Sequence, residues 1–250
     1  MSQIVKETES LCPVCLKVVK ATVLKKHNNL FLMKNCEEHG LFQTVIWRGE
    51  PKYEEWVRDK CVAFPKFPDT EVSKGCPFDC GLCEKHRQHT CTALIEVTSR
   101  CNLNCQFCFA DSGLSRSEPD IETIGMWFQK ISKTAGNCNI QISGGEPTLR
   151  EDLPEIIKMA KNSGFKFIQL NTNGMKLTDY AYYEKLKEAG LNSIFLQFDG
   201  LDRDMLKNLR GRDILDEKLK AIENSKKLNL GVILVCTIVP HMNDDMLSAL

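Results

Sequence analysis

From residue 92 onward, short apolar runs alternate with stretches whose apolar residues recur at helical spacing. Residues 93–97, 139–143, 167–171, 193–198 and 230–239 read as strands. The stretch 119–134 reads as a helix, with Ile121, Ile124, Trp127, Phe128 and Ile131 on one face and Gly136 at its end. Asp152 and Glu155 have capping-box spacing and open a helix that stops near Gly164. Further helices are predicted over 178–189, ended by Gly190, and over 213–228, with Ile214, Leu215, Leu219, Ile222 and Leu228 facing inward. Strand–helix–strand units in series predict parallel strands joined by right-handed crossovers. This is the pattern of an open or closed (β/α) barrel, whose chemistry lies at the C-terminal ends of its strands. Five strands leave a barrel sheet incomplete, so the pattern implies a missing C-terminal part or a partner chain.

Before residue 92 the pattern changes to short strand-like runs (18–24, 30–33), turns and paired cysteines. This predicts a metal-binding domain of zinc-ribbon or rubredoxin-like type over 1–60, an auxiliary cluster segment over 61–92, and an α/β catalytic core over 93–250. Trp47, Tyr53 and Trp56 read as core of the first part.

Composition narrows the function classes. Thirty-three basic residues balance thirty-three acidic ones, which argues against a nucleic-acid binder of broad specificity. No apolar run approaches the ~20 residues of a membrane span. The first ten residues, MSQIVKETES, lack the apolar centre of an export signal, so a cytoplasmic, reducing compartment is expected. There, the thirteen cysteines are better read as metal ligands than as disulfides. Cys61, Cys138 and Cys236 stand apart and read as small buried residues.

Cys101, Cys105 and Cys108 follow the first predicted barrel strand with the spacing C-x3-C-x2-C. Three thiolates in one loop can hold three irons of a 4Fe–4S cube and leave the fourth open. A structural zinc site is the alternative, with His86 and His89 as the nearest histidines upstream. Cys76, Cys80 and Cys83 repeat the same spacing, and Cys91 follows as a fourth ligand for a second 4Fe–4S cluster; zinc held with His86 or His89 is the rival. Cys12, Cys15, Cys36 and His39 form a pair of knuckles, CPxC and CxxH, suited to one zinc or iron ion.

The loop C-x3-C-x-aromatic-C, with Phe107 before its last cysteine, resembles the radical S-adenosylmethionine (SAM) superfamily. Ser143-Gly144-Gly145-Glu146-Pro147, after the second strand, is similar to that superfamily's GGE motif. The resemblance implies a partial radical SAM (β/α) barrel. It implies that Cys101, Cys105 and Cys108 carry the catalytic cluster, and that Gly144, Gly145 and Glu146 hold the methionine amino group of SAM. Asn171 and Asn173 after the third strand, with Gln197 and Asp199 after the fourth, resemble positions that line the ribose and substrate. The implied chemistry is reductive cleavage of SAM to methionine and a 5′-deoxyadenosyl radical, which abstracts hydrogen from a C–H bond.

The whole set of motifs resembles the archaeal tetraether lipid synthase family, whose members include methyltransferases acting on a hydroxymethyl-dihydropterin. The first expectation is therefore lipid C–C coupling, with peripheral association at a membrane. The alternative is methyl transfer to a pterin. Either implies an anaerobic transferase served by an electron donor such as ferredoxin or flavodoxin. Family members extend well beyond residue 250. Two readings of other classes stand beside these: a non-catalytic iron–sulfur electron-transfer or scaffold protein, and a zinc-ribbon nucleic-acid binder.

Overall fold

The computed structural model describes residues 3–58, 61–79, 81–108, 110, 112, 118–136 and 138–245. The chain forms two compact units, Met1–Gln88 and His89–Leu250.

The first unit is an antiparallel meander of β1 (Gln3–Leu11), β2 (Val18–Lys26), β3 (Asn29–Cys36) and β4 (Gly40–Trp47), hydrogen-bonded in that order. β1 extends over polar, alternating residues that the apolar pattern did not mark as a strand. The β2–β3 hairpin pairs Lys26 with Asn29, and His27 takes a positive φ in the turn. Ala21, Val23, Leu24 and Leu30 are buried together with Cys12 and Cys36. A short helix, α1 (Tyr53–Trp56), follows. Trp47, Tyr53 and Trp56 pack on one another, with ring centroids 5.8 and 5.1 Å apart, but Trp56 is 62% exposed. The three form a surface cluster rather than a core, because the small sheet has no second layer to bury them. Cys61 is exposed too, contrary to the expectation of a buried thiol, whereas Cys138 is buried.

The second unit holds a five-stranded parallel sheet: β5 (Thr92–Thr98), β6 (Asn139–Gly144), β7 (Ile168–Thr172), β8 (Ser193–Gln197) and β9 (Gly231–Val235). Each strand pairs with the next in sequence. Such a sheet winds in one direction and has no point at which strand order reverses. The helices are α2 (Ile121–Ala135), α3 (Leu153–Asn162), α4 (Tyr180–Ala189), α5 (Arg203–Arg210) and α6 (Leu215–Lys227).

Alternation along the strands separates two faces. Ile140, Ile142, Ile168, Leu170, Ile194 and Leu196 share the apolar core with Ile124, Phe128, Leu153, Ile156, Ile157, Tyr183 and Leu186 of the helices. The other face carries two polar layers. Gln141 donates to Gln169 (3.1 Å), and Gln169 donates to Ser193 (2.8 Å). Two residues further along, Asn171 donates to Ser143 (3.1 Å).

Three details depart from the sequence reading. Asp152 makes no cap bond; its carboxylate pairs with Arg150 instead, at 2.8 and 2.6 Å. β9 ends at Val235 rather than near 239, because the Thr237 N–H turns to Asp199 Oδ1 (3.0 Å). Along α6 Lys218 is fully buried, as are Ala221 and Ser225, while Leu219 is 45% exposed. No helix among the described residues is long and apolar enough to cross a membrane.

Phe128 is fully buried and packs against Phe165, with ring centroids 5.9 Å apart. Phe128→Ala should therefore cost about 3–5 kcal/mol of stability, read from the shift in urea midpoint; a cost below 1 kcal/mol would contradict the packing described.

Candidate active site and metal centre

Four ligand atoms converge in the ribbon: those of Cys12, Cys15, Cys36 and His39 all lie within 4.8 Å of one another. Cys12 Sγ is 3.7 Å and Cys36 Sγ 3.5 Å from His39 Nδ1, and Cys15 Sγ is 3.8 Å from Cys36 Sγ. A tetrahedral ion with bonds of ~2.3 Å to sulfur and ~2.0–2.1 Å to nitrogen has edges of about 3.5–3.8 Å, so the donor set fits one such ion. The knuckle closes through Cys12 N–H to Lys17 O (2.9 Å) and Leu16 N–H to Cys12 O (3.0 Å), with Leu16 at positive φ. Burial pushes the Cys12 thiol up, but the N–H groups of Cys15 and Val14 and the neighbouring thiols reverse this and bring it to about 6. That favours the thiolate a metal needs.

In the second unit, the cysteine loop leaves the end of β5 and lies against the turn after β6. Gly145 N–H donates to Thr98 O (2.8 Å), and Glu146 N–H donates to Arg100 O (2.7 Å). A Cβ on Gly144, which has φ +129°, would sit 2.1 Å from Thr98 O, and one on Gly145 would sit 2.2 Å from Arg100 O. The two glycines thus admit the backbone of the cysteine loop itself. Asn173 Nδ2 adds a bond from the end of β7 to Asn102 Oδ1 (2.7 Å).

These contacts bring Cys101, Cys105, Cys108 and Phe107 to one cavity of about 220 Å³, with Gly144, Gly145, Glu146, Asn171, Asn173 and Gln197 in its walls. Cys101 and Cys105 are half-buried and Cys108 is exposed. Burial pushes the Cys101 thiol up, and the charges of Glu146, Cys105 and Cys108 add to this. Asn171 Oδ1 is buried without a hydrogen-bond partner. Three thiols spread around one cavity beside an unsatisfied acceptor fit a cube whose irons each take a separate thiolate. The donor set does not close on a single ion as the ribbon's does.

Glu146 and Asp199 are both buried. Glu146 is 1% exposed and accepts from Thr148 N (3.2 Å), Thr148 Oγ1 (2.7 Å), Thr172 Oγ1 (2.8 Å) and Asn173 N (2.7 Å). Burial pushes its carboxyl up against the pull of these donors. Three of these bonds fall on Oε1 and only that from Asn173 N on Oε2, and together they tie the ends of β6 and β7 at the cavity wall. Asp199 is fully buried and absent from the cavity wall. It accepts from Arg210 Nε (2.7 Å) and Nη2 (2.6 Å) and from Gln197 Nε2.

Arg210 lines the cavity and Lys218 lies behind it, and the motif reading assigned a role to neither. Lys218 Nζ donates to Gln197 Oε1 (2.8 Å), to Gln197 O and to Asn173 O (3.3 Å). Neither left a signal in the sequence, where a single charge shows nothing of its burial. Of the upstream cysteines, Cys83 is buried while Cys76 and Cys91 are exposed; Cys80 lies outside the described residues. Asp79 accepts from the N–H groups of Ser73, Lys74 and Gly75 and closes the loop before Cys76.

His39→Ala should lower bound ribbon metal well below one ion per chain after dialysis against a chelator, while wild type keeps its ion; equal retention would exclude His39 as a ligand. Burial pulls Lys218 from the ordinary 10.5 to about 8. Between these values the unfolded chain binds the proton more fully than the folded one, so stability rises with pH from about 8 to 10.5 and this contribution is flat below 8. In Lys218→Met the rise should vanish, as read from urea midpoints across that range; parallel wild-type and variant profiles would refute it.

A family model described as the radical SAM superfamily matches residues 95–250. A second, described as the HMPTM N-terminal zinc ribbon domain, matches residues 4–48. A 7,8-dihydro-6-hydroxymethylpterin dimethyltransferase of Methanocaldococcus jannaschii is 43% identical over 244 residues, covering 96% of this chain and 48% of that protein. A probable GTP 3′,8-cyclase of Pyrococcus abyssi is 36% identical over 155 residues, covering 60% of this chain and 48% of the other. The chain thus spans about half the length of the curated relatives it matches. Among solved structures, Streptococcus suis SuiB bound to precursor peptide SuiA superposes with a TM-score of 0.53 at 19% identity, over 65% of this chain and 37% of that one. The structure of anSMEcpe with bound AdoMet gives 0.51 at 23% identity, over 63% and 46%. With a parallel sheet, a cysteine loop at its C-terminal edge and a family match over residues 95–250, the chain belongs to the radical SAM superfamily of enzymes.

Proposed function

We propose that the protein takes part in radical SAM methyl transfer to a dihydropterin, with Cys101, Cys105 and Cys108 as the ligands of its catalytic 4Fe–4S cluster. Superfamily membership implies that cluster and SAM. The observation that carries the pterin assignment is the likeness to a pterin dimethyltransferase, which runs through both the ribbon and the sheet and covers 96% of this chain. It supports the pterin reading over lipid coupling, which the motifs alone had put first. When bound, the cluster and SAM supply the 5′-deoxyadenosyl radical that takes a hydrogen from a C–H bond.

The chain's own residues do the positioning. Three thiols face the cavity and leave one cube corner without a protein ligand in the loop. Asn171 Oδ1 offers an acceptor to a donor group of the ligand. Glu146 fixes the β6 and β7 ends, and its Oε2, which accepts only from Asn173 N, keeps capacity for a donor group such as the methionine ammonium of SAM. Ribbon residues Cys12, Cys15, Cys36 and His39 hold a structural zinc, the ion for which the matched domain is named. The C-x3-C-x2-C spacing of Cys76, Cys80 and Cys83 supports a second cluster, with a small iron–sulfur or flavin protein as electron donor.

The test is anaerobic incubation of the iron-reconstituted, reduced chain with SAM and a 6-hydroxymethyl-dihydropterin. Wild type should release 5′-deoxyadenosine and yield a methylated pterin. Cys105→Ala should lose at least 100-fold of the cleavage rate, equivalent to about 2.7 kcal/mol. Cleavage without pterin methylation would retain the superfamily chemistry and reject the pterin. Unchanged cleavage in Cys105→Ala would reject the cluster assignment. Iron counting separates one cube from two, at about four against about eight irons per chain.

A further inference from the structure

The C-terminus of α5 lies along the cysteine loop residue by residue. Gln106 N–H donates to Leu209 O (3.1 Å). Gly211, at φ +73°, brings its backbone so close that a Cβ there would lie 3.0 Å from Asn104 O. Between these two contacts, Arg210 is brought next to Cys105. The guanidinium is held from behind on two edges. Nε and Nη2 donate to the buried Asp199 carboxylate, and Nη2 also donates to Thr237 Oγ1 (2.9 Å). Nη1 takes part in none of these bonds, and Arg210 and Cys105 share the cavity wall. Asp199 is 0% and Arg210 5% exposed, so the pair is desolvated and fixed.

We propose that Arg210, clamped by Asp199 and Thr237, is a positioning residue that raises the reduction potential of the catalytic cluster through its fixed positive charge in the cavity wall beside Cys105. This rests on the assignment of Cys105 as a cluster ligand. Hydrogen bonds to ligand sulfurs, together with net charge, tune the potentials of such clusters. One-electron reduction adds negative charge to the cube and its thiolates, and a cation held beside them stabilises the reduced form more than the oxidised one. Removing it lowers the potential. Asp199 then remains as an unpaired buried carboxylate close behind the loop, which acts in the same direction. Lysine keeps the charge but lacks the fork needed to bond Asp199 and reach Cys105 together.

The experiment is a reductive titration of the full reconstituted chain, followed by the electron paramagnetic resonance signal that changes when SAM is added. Arg210→Gln should hold about tenfold less reduced cluster than wild type at a fixed potential, equivalent to a shift of about 59 mV to more negative values for one electron. Arg210→Lys should fall between the two. Iron content and thermal midpoint are measured alongside. Wild-type potentials in both variants would overturn the proposal. So would an Arg210→Gln that fails to load iron beside an Arg210→Lys of wild-type potential, since this would mark the pair as purely structural. A wild-type chain that loads no SAM-responsive cluster would instead reject the cluster assignment on which the proposal rests.

Discussion

The cavity depends on how closely two stretches of backbone approach at the C-terminal edge of the sheet. The turn after β6 packs its Gly144 and Gly145 against Thr98 O and Arg100 O at distances no side chain permits. Two N–H groups of the same turn bond those oxygens. The start of the cysteine loop therefore has no freedom to drift from the strand ends. Glu146 extends the constraint sideways by accepting from Thr172 and Asn173. Three segments are thereby tied together: the loop, the β6 turn and the β7 end, which returns to the loop through Asn173 and Asn102.

A second tier of constraint lies behind the first and is ionic. Asp199, Arg210 and Lys218 are all buried, and each is satisfied by the strand ends or by the others. Buried charge is expensive, and breaking such a pair strands the remaining partner. Parallel sheets with one helix-covered apolar face solve the hydrophobic problem without charged residues, and the cavity side is where these three are found. Burial of this kind is consistent with work at the site rather than with stability alone.

Much of this was legible from periodicity and spacing. Strands β5 to β8, helices α2, α4 and α6 and the ribbon ligands appear where alternation, helical spacing and knuckle patterns place them. What escaped has physical reasons. β1 is mostly polar, with its apolar residues at its ends, so no run of apolar positions marks it. α5 is short and its apolar residues Met205, Leu206 and Leu209 resemble an ordinary loop run. β9 was read too long because β-branched residues continue past Val235, while a side-chain acceptor on Asp199 ends the ladder there. Asp152 was read as a cap, yet a nearer guanidinium won its carboxylate. Arg210 and Lys218 were invisible as site residues, since single charges in a sequence reveal nothing of their burial.

The polar face of the sheet carries a consequence for discrimination between ligands. Gln141, Gln169 and Ser193 satisfy one another across three strands. None of the three lines the cavity, so they do not rank one incoming molecule against another. Choice must rest with the ring of groups above them, where Asn171 keeps an unfilled acceptor. Exchanging a few positions on that ring can redirect the protein to a different molecule while its floor stays unaltered.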